Sequence, residues 1–193
     1  MTTKPPIDFQ RYPLESEASM AAIIAECREK LDRDQYCSLP GFLTREAITQ
    51  SAGHVQSLKG KGNPANSVRN CYLQRQGDAS LPEDHPRNIF QPASYRMLAA
   101  DQLPEHSHLK AMYNWEPFQR MVAGIVGEEK LYPNEDSLQP VNVICYGEGD
   151  QSAWHYDSTN AFTMTLMLQK AERGGDFEMA PNTRQDPDNE DLD

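Results

Sequence analysis

The sequence lacks the features that mark secreted, membrane-spanning or nucleic-acid-binding proteins. Its four cysteines are scattered and include no C-x-x-C pair, which argues against a disulfide framework or a zinc knuckle. Apolar runs such as MAAIIAEC are too short to cross a bilayer, and residues 1–13 lack the apolar core of a secretion signal. A formal charge of −11 argues against nucleic acid as a partner. These absences predict a cytoplasmic protein whose partners are neither membranes nor nucleic acids.

Two common catalytic motifs are also missing. The chain contains no G-x-S-x-G nucleophile turn, and GKGNP is not followed by the Lys-Ser/Thr of a phosphate loop. What remains is a chain of 193 residues with 38% hydrophobic residues, enough for one globular domain with a sizeable core. We predict an extended, proline-rich arm over residues 1–13, a single domain over 14–185 and a solvated acidic tail over 186–193.

Helical patterns occupy the first two thirds of the chain. Apolar residues recur at helical spacing over residues 17–33, after a potential N-cap at Ser16. Thr44 is a potential N-cap for a second helix. Two consecutive helices are predicted over 107–127, closed by Gly127 at the C-terminal cap. The stretch from 59 to 93 is rich in breakers and is predicted to be loop.

The pattern changes to one typical of strands after Pro133. Strands are predicted over 138–147, 161–169 and 174–181, from β-branched texture, alternation and glycine turns. The layout predicts an α+β fold, with helices over 14–130 and the sheet over 138–185. Three strands do not close a barrel or a two-sheet sandwich, so the sheet looks incomplete.

A histidine and an aspartate two residues apart follow the first of these strands. In GEGDQSAWHYDS, His155 and Asp157 come just after a glycine-rich turn. Residues two apart on a strand point to the same side, so both could reach one metal ion. Non-haem iron sites of the facial-triad type use two imidazoles and one carboxylate. The spacing alone leaves an ordinary polar pair at a strand edge as an equal alternative.

The surrounding motifs resemble a known family. Tyr-Gly-x-Gly-Asp (146–150), Trp-His-x-Asp (154–157), Leu-Gln (168–169), Gly-Gly-x-Phe-Glu (174–178) and Pro-x-x-Arg (181–184) stand in the same order in Fe(II)/2-oxoglutarate-dependent oxygenases. The resemblance is to the branch of the free-amino-acid halogenases and hydroxylases, and it covers most of residues 35–184. It implies a double-stranded β-helix, or jelly-roll, core of which 138–185 would be the first half.

The resemblance also implies a chemistry. His155 and Asp157 would be ligands of Fe(II), and 2-oxoglutarate would be the cosubstrate. Dioxygen would be consumed in hydroxylating an unactivated C–H bond of a free amino acid or a similar small polar molecule. In the halogenases of this branch a small residue replaces the carboxylate and leaves room for chloride. The aspartate at position 157 therefore argues for hydroxylation.

Further site residues follow with their alternatives. Trp154 and Ser158 flank the pair and would line a substrate pocket. Asn142 and Tyr146 could contact the cosubstrate, although a core tyrosine explains Tyr146 equally well. Two arginines could bind a substrate carboxylate, and each could instead form a surface ion pair. They are Arg87 and Arg184.

Two expected parts are missing from the sequence. The family has a second histidine ligand well beyond the H-x-D, and an arginine that pairs with the distal carboxylate of 2-oxoglutarate. No histidine follows His155, and Arg184 is the only arginine after Arg173. Either the chain is a C-terminally truncated oxygenase, or it is a degenerate member that serves as a non-catalytic binding or interaction domain. We expect weak activity or none from this chain alone.

Overall fold

In the part of the chain that the structure describes, four α-helices combine with a small antiparallel sheet. A computed structural model describes residues 5–157, 162–181 and 183. The elements, in chain order, are α1 (Glu17–Asp34), α2 (Arg45–Leu58), β1 (Asn63–Arg69), β2 (Gln91–Leu98), α3 (His108–Tyr113), α4 (Glu116–Val126) and β3 (Val143–Cys145). Single 3-10 turns occupy Lys59–Lys61, Pro86–Asn88 and Ala100–Gln102. The α+β class predicted from the sequence is confirmed.

The helix ends follow the local signals in the sequence. The Ser16 hydroxyl accepts a hydrogen bond from the Ser19 amide, and the Thr44 hydroxyl accepts one from the Ala47 amide, both at 3.3 Å. Each cap satisfies a backbone donor that the first helical turn leaves without a partner. Gly127 ends α4 in the left-handed conformation, with a φ of +81° that glycine adopts without strain. The predicted caps are confirmed.

The larger hydrophobic core lies between the N-terminal segment and helices α1, α2 and α4. The described part of the predicted arm belongs to it, because Ile7 is buried and forms a β-bridge with Leu43. The Tyr12 hydroxyl donates to the Pro40 carbonyl at 2.9 Å. The buried members of this core are Ile7, Tyr12, Leu14, Met20, Cys27, Phe42, Leu43, Ala47, Met112, Phe118, Met121, Val122 and Ile125.

Burial in this core also governs the chemistry of one thiol. Cys27 is buried, and desolvation, with the neighbouring Cys37 thiol, raises its pKa to about 12. The thiolate, which is the reactive form, is therefore disfavoured at neutral pH. All four cysteines are free.

The three strands form one sheet in the order β1-β2-β3, antiparallel throughout. Asn63 pairs with Met97 at one end of β1 and Arg69 with Gln91 at the other, while Leu98 pairs with Val143. The prediction that residues 59–93 form a loop is wrong for β1 and for the start of β2. The sheet therefore begins before α3, and the predicted order of helices followed by strands is wrong as well. Both strands contain proline and small polar residues, which hide a strand pattern.

A second, smaller core joins the sheet to the helices. Leu98 of β2 is fully buried, and Val143 and Cys145 of β3 lie on the same face. They pack with Leu103 and Leu109, and Leu168 packs against the edge of this group. Burial of the Cys145 thiol raises its pKa above the ordinary value. The sheet is thus fixed to the helices at one end of β2, and the opposite end is left for other contacts.

The later strand predictions are wrong within the part of the chain that the structure describes. Of the predicted strand 138–147, only Val143–Cys145 pairs with a neighbour. Residues 162–169 and 174–181 form no strand, although their alternating sequence predicts one. Several of their large side chains are exposed, such as Met167 and Phe177. An alternating pattern of apolar and polar residues suits a half-buried strand, but a strand also needs a neighbour to pair with.

No helix within residues 5–157, 162–181 and 183 has the length and apolar character needed to cross a bilayer.

Close packing of α1 on α4 depends on Gly124. A Cβ at this position would lie 2.6 Å from Ile24 Cδ1 and 3.2 Å from both Cγ atoms. We expect Gly124→Val to lower the free energy of unfolding by about 1–3 kcal/mol, because overpacking forces the two helices apart. Chemical denaturation measures the change.

Gly53 offers a matched control within α2. A Cβ there meets nothing within 4 Å. Gly53→Ala should therefore stabilise the protein by about 0.5–1 kcal/mol through helix propensity alone. Equal effects of the two substitutions would contradict the packing explanation.

Candidate functional site

The segment that carries His155 and Asp157 continues the path of β3 along β2 after a bulge. Arg96 pairs with Cys145 in the regular ladder, and the next contact is a bridge between Ser94 and Gln151. Four extra residues therefore loop out between the two contacts, as in an extended β-bulge. Bulges redirect the side chains that follow them. Here the residues that follow are those of the H-x-D motif.

A carboxylate closes this bulge. Asp150 Oδ2 accepts a hydrogen bond from the Gly147 amide at 2.8 Å, and Gly149 takes a φ of +80°. The Gly147 amide, and next the Ser94 side chain, hold the pKa of Asp150 below its ordinary value, helped by the charges of Lys59 and Arg96. The Gly-x-Gly-Asp motif is thus a turn with an ionised carboxylate as its internal acceptor.

The imidazole of His155 is oriented by its own backbone. Its Nδ1 lies 2.8 Å from the Ala153 carbonyl oxygen. Because a carbonyl oxygen only accepts, Nδ1 must carry the proton, and in the neutral ring the lone pair is on Nε2. A carbonyl acceptor on one ring nitrogen is the usual second-shell contact of a metal-binding histidine.

Asp157 faces that lone pair. Its Oδ1 lies 3.7 Å from His155 Nε2, and its Oδ2 accepts a hydrogen bond from the Thr163 hydroxyl. Metal–nitrogen and metal–oxygen distances are each about 2 Å, so atoms 3.7 Å apart can contact one ion. The two side chains are 37% and 49% exposed, so an ion could reach them from solvent. The donor set fits a divalent ion that prefers nitrogen and oxygen ligands.

Two donors are all that the described residues supply. Among residues 5–157, 162–181 and 183, no three His, Cys, Asp or Glu side chains come together as a metal-binding group. The described part of the chain therefore contains an oriented pair of donors, and a facial triad would require a further ligand.

The pair lies where the sheet ends. The Trp154 amide donates to Gln91 Oε1 at 3.1 Å, and the Tyr156 amide donates to the Cys71 carbonyl at 2.8 Å. Residues 154–157 thus run from the start of β2 to the residues after β1. This segment is the H-x-D crossing. It lies at the end of β2 opposite to Leu98, which is held in the smaller core.

An aromatic stack connects this crossing to Arg87. The Tyr72 ring contacts both Tyr156 and Arg87. The centre of the Tyr156 ring lies 5.7 Å from its centre, and the Arg87 guanidinium carbon lies 4.9 Å from its centre. Such cation–π contacts help to fix the position of a guanidinium. Arg87 also lines an open depression of about 590 Å³ formed with residues 74–79. The structure therefore brings Arg87 into one connected group with the H-x-D motif.

Asn70 holds that group together from within. It is buried, and its Oδ1 accepts hydrogen bonds from the Tyr72 and Gln74 amides at 3.1 and 3.0 Å. Its Nδ2 donates to the Arg87 carbonyl at 2.8 Å and to Gln74 Oε1 at 3.2 Å. One side chain thus fixes the turn that presents Tyr72 and the backbone that presents Arg87.

The remaining predicted site residues are placed differently. Trp154 flanks the pair and is half exposed. Tyr146 packs edge-on against Tyr95 at 6.0 Å, on the near side of the bulge. Asn142 precedes β3 and donates to Gln139. It lies about 25 Å along β2 from the H-x-D segment, at about 3.3 Å per residue of strand. Ser158 and Arg184 lie outside the described residues.

Several residues of this site carry no sequence signal. Asn70, Tyr72 and Gln91 act through contacts between segments that are distant in sequence. Thr163 lies six residues after Asp157, but no motif marks it. A comparison with models of known protein families, with characterised proteins and with solved structures gave no match.

Proposed function

We propose that this chain is an oxygenase domain of the Fe(II)/2-oxoglutarate class that hydroxylates a free amino acid or a similar small polar molecule. The observation that carries the proposal is the oriented pair: His155 Nδ1 lies 2.8 Å from the Ala153 carbonyl oxygen, and Nε2 lies 3.7 Å from Asp157 Oδ1. The family resemblance of the motifs around the pair supplies the choice of metal and cosubstrate. In this proposal the sheet β1-β2-β3 belongs to a jelly-roll core.

The residues of the chain have distinct roles in this proposal. His155 and Asp157 hold the ion, while the Ala153 carbonyl and the Thr163 hydroxyl fix the direction of their donor atoms. Iron with 2-oxoglutarate and dioxygen supplies the oxidising chemistry when bound. Trp154, next to His155 in sequence, would line the substrate pocket, and the contact between the Tyr72 and Tyr156 rings fixes the segment that carries the pair. Arg87, in cation–π contact with Tyr72, would bind a substrate carboxylate in this proposal.

Asp157 also bears on the type of reaction. A carboxylate at this position occupies the place that a halide would need, so we propose hydroxylation and not halogenation. The Thr163 hydrogen bond keeps the carboxylate turned toward His155.

An anaerobic titration tests the proposal. Fe(II) is added to the protein with and without 2-oxoglutarate, and bound metal is followed by visible absorption of the chelated 2-oxo acid. We expect weak binding by the two side chains and tighter binding with 2-oxoglutarate, since the 2-oxo acid supplies further oxygen donors to the same ion. Air and a panel of amino acids are then added, and succinate is measured. Iron binding that is indifferent to 2-oxoglutarate would contradict the proposal.

A non-catalytic binding domain of the same fold is the second candidate. The observation that favours it is the two-donor set, since the described residues supply no third ligand. This candidate predicts that an amino acid binds while no succinate forms under any iron concentration. The same panel therefore separates the two candidates.

A further inference from the structure

A second arginine, Arg69, lies at the H-x-D crossing. Arg69 is the last residue of β1 and pairs with Gln91. Paired residues of antiparallel strands project from the same face, and the Gln91 side chain accepts the Trp154 amide. Two residues after Arg69, the Cys71 carbonyl accepts the Tyr156 amide. Arg69 therefore lies beside the segment that carries His155.

One guanidinium nitrogen of Arg69 is buried. Its Nε is shielded from solvent and has no hydrogen-bond partner within the part of the chain that the structure describes. Buried polar donors are nearly always bonded in folded proteins, and one without a partner calls for an explanation. The cost is greater for a group that stays charged at any physiological pH. An anionic ligand that accepts from Nε would remove this cost.

The neighbourhood of Arg69 reinforces the same reading. Asn70, the next residue, bonds to the Arg87 carbonyl, so the backbones of Arg69 and Arg87 meet at one buried amide. Two cationic side chains thus flank the H-x-D crossing in a protein whose formal charge is −11.

We infer that Arg69 binds a carboxylate of the small molecule that occupies the H-x-D end of the sheet. The guanidinium presents Nε and a terminal nitrogen as a planar fork that matches the two oxygens of a carboxylate. The identity of the molecule rests on the proposed function, where both 2-oxoglutarate and an amino acid carry this group. Carboxylate binding itself requires no metal, so it can be tested separately.

The test follows the Nε–H signal of Arg69 in nitrogen-15 NMR spectra of the metal-free protein. The signal is assigned by its disappearance in Arg69→Lys. The probes are 2-oxoglutarate, a panel of amino acids, the same amino acids as carboxamides, and inorganic phosphate. We expect the signal to shift with either 2-oxoglutarate or an amino acid, which identifies the source of the carboxylate, and to stay unchanged with the carboxamides.

Variants then measure the contribution to affinity. Arg69→Met should weaken binding of the active carboxylate by about tenfold or more, since hydrogen bonds to charged groups are the stronger class. Arg69→Lys should restore only part of it, because an ammonium lacks the fork. Arg45→Met is the matched control: it removes one exposed positive charge from the start of α2 and should leave binding unchanged.

Several results would overturn the inference. These are equal shifts with acids and carboxamides, an equal shift with phosphate, or a loss of affinity in Arg87→Met that is absent in Arg69→Met. Failure of the proposed function gives a different result: carboxylate binding through Arg69 persists, and Fe(II) neither binds nor changes it. The wild-type NMR measurement remains decisive even if a variant fails to fold.

Discussion

Replacing His155 with alanine is expected to weaken Fe(II) binding by about 100-fold or more, because loss of the ligand itself must cost at least what loss of a supporting contact costs. His155 supplies one of the two donors in the described site, and its lone pair is directed by the Ala153 carbonyl. Without it the ion would keep a single exposed carboxylate, which water replaces readily. The measurement is the anaerobic titration in the presence of 2-oxoglutarate.

Two further substitutions should weaken iron binding by amounts that decrease with distance from the ion. Asp157→Asn keeps the shape of the side chain and removes its charge, so it should approach the loss seen in His155→Ala. Thr163→Val removes only the hydrogen bond to Asp157 Oδ2 and should weaken iron binding by about tenfold. A ranking in which Thr163→Val exceeds both would mean that Thr163 supports the fold and not the ion.

His106→Ala serves as the matched control. His106 is exposed, and it lies in a turn ahead of α3, away from the crossing. It should leave iron affinity unchanged. Iron binding that survives both His155→Ala and Asp157→Asn would place the metal elsewhere and would remove the basis of the proposed function.

The helices were predictable because their signals are local. Ser16, Thr44 and Gly127 act on backbone groups within a few residues, so a short window of sequence contains the whole explanation. The strands were less predictable. β1 reads Asn-Pro-Ala-Asn-Ser-Val-Arg, which has little strand propensity, and it forms through pairing with β2 more than 20 residues later. Conversely, residues 162–169 alternate well and remain unpaired within the described part.

The candidate site shows the same division between local and distant causes. The spacing of His155 and Asp157 indicated two donors on one side, and the two side chains do face each other, although the segment is no regular strand. The acceptor that fixes the imidazole is also local, since Ala153 lies two residues earlier. Arg69, Tyr72 and Gln91 could not be linked to the pair from sequence, because only the sheet register brings them to it.

Asn70 is the residue on which this arrangement depends most. It is 1% exposed and has partners in three different residues, among them two backbone amides and the Arg87 carbonyl. Removing the side chain takes away these part-buried hydrogen bonds. Each such loss costs about 1–3 kcal/mol, although the turn can relax toward solvent and recover part of it.

Asn70→Ala is therefore expected to lower the free energy of unfolding by about 2–4 kcal/mol, which is the range for two or so unsatisfied groups after relaxation. Denaturation in urea should show a lower midpoint with an unchanged slope. Asn66→Ala in β1 is the control, because Asn66 is exposed, and it should stay within about 0.5 kcal/mol of the wild type.

The same substitution should also weaken carboxylate binding under conditions where the variant is still folded. Without Asn70, the Tyr72 and Gln74 amides lose the oxygen that accepts their hydrogen bonds. The Tyr72 ring should then be held less firmly against Tyr156 and Arg87. Carboxylate binding should then weaken in Asn70→Ala while the fold persists. Asn70→Asp separates the two halves of the role: it keeps the oxygen that accepts from Tyr72 and Gln74, and it loses the donor to Arg87. Full carboxylate affinity in Asn70→Ala would show that the crossing is held by the sheet alone.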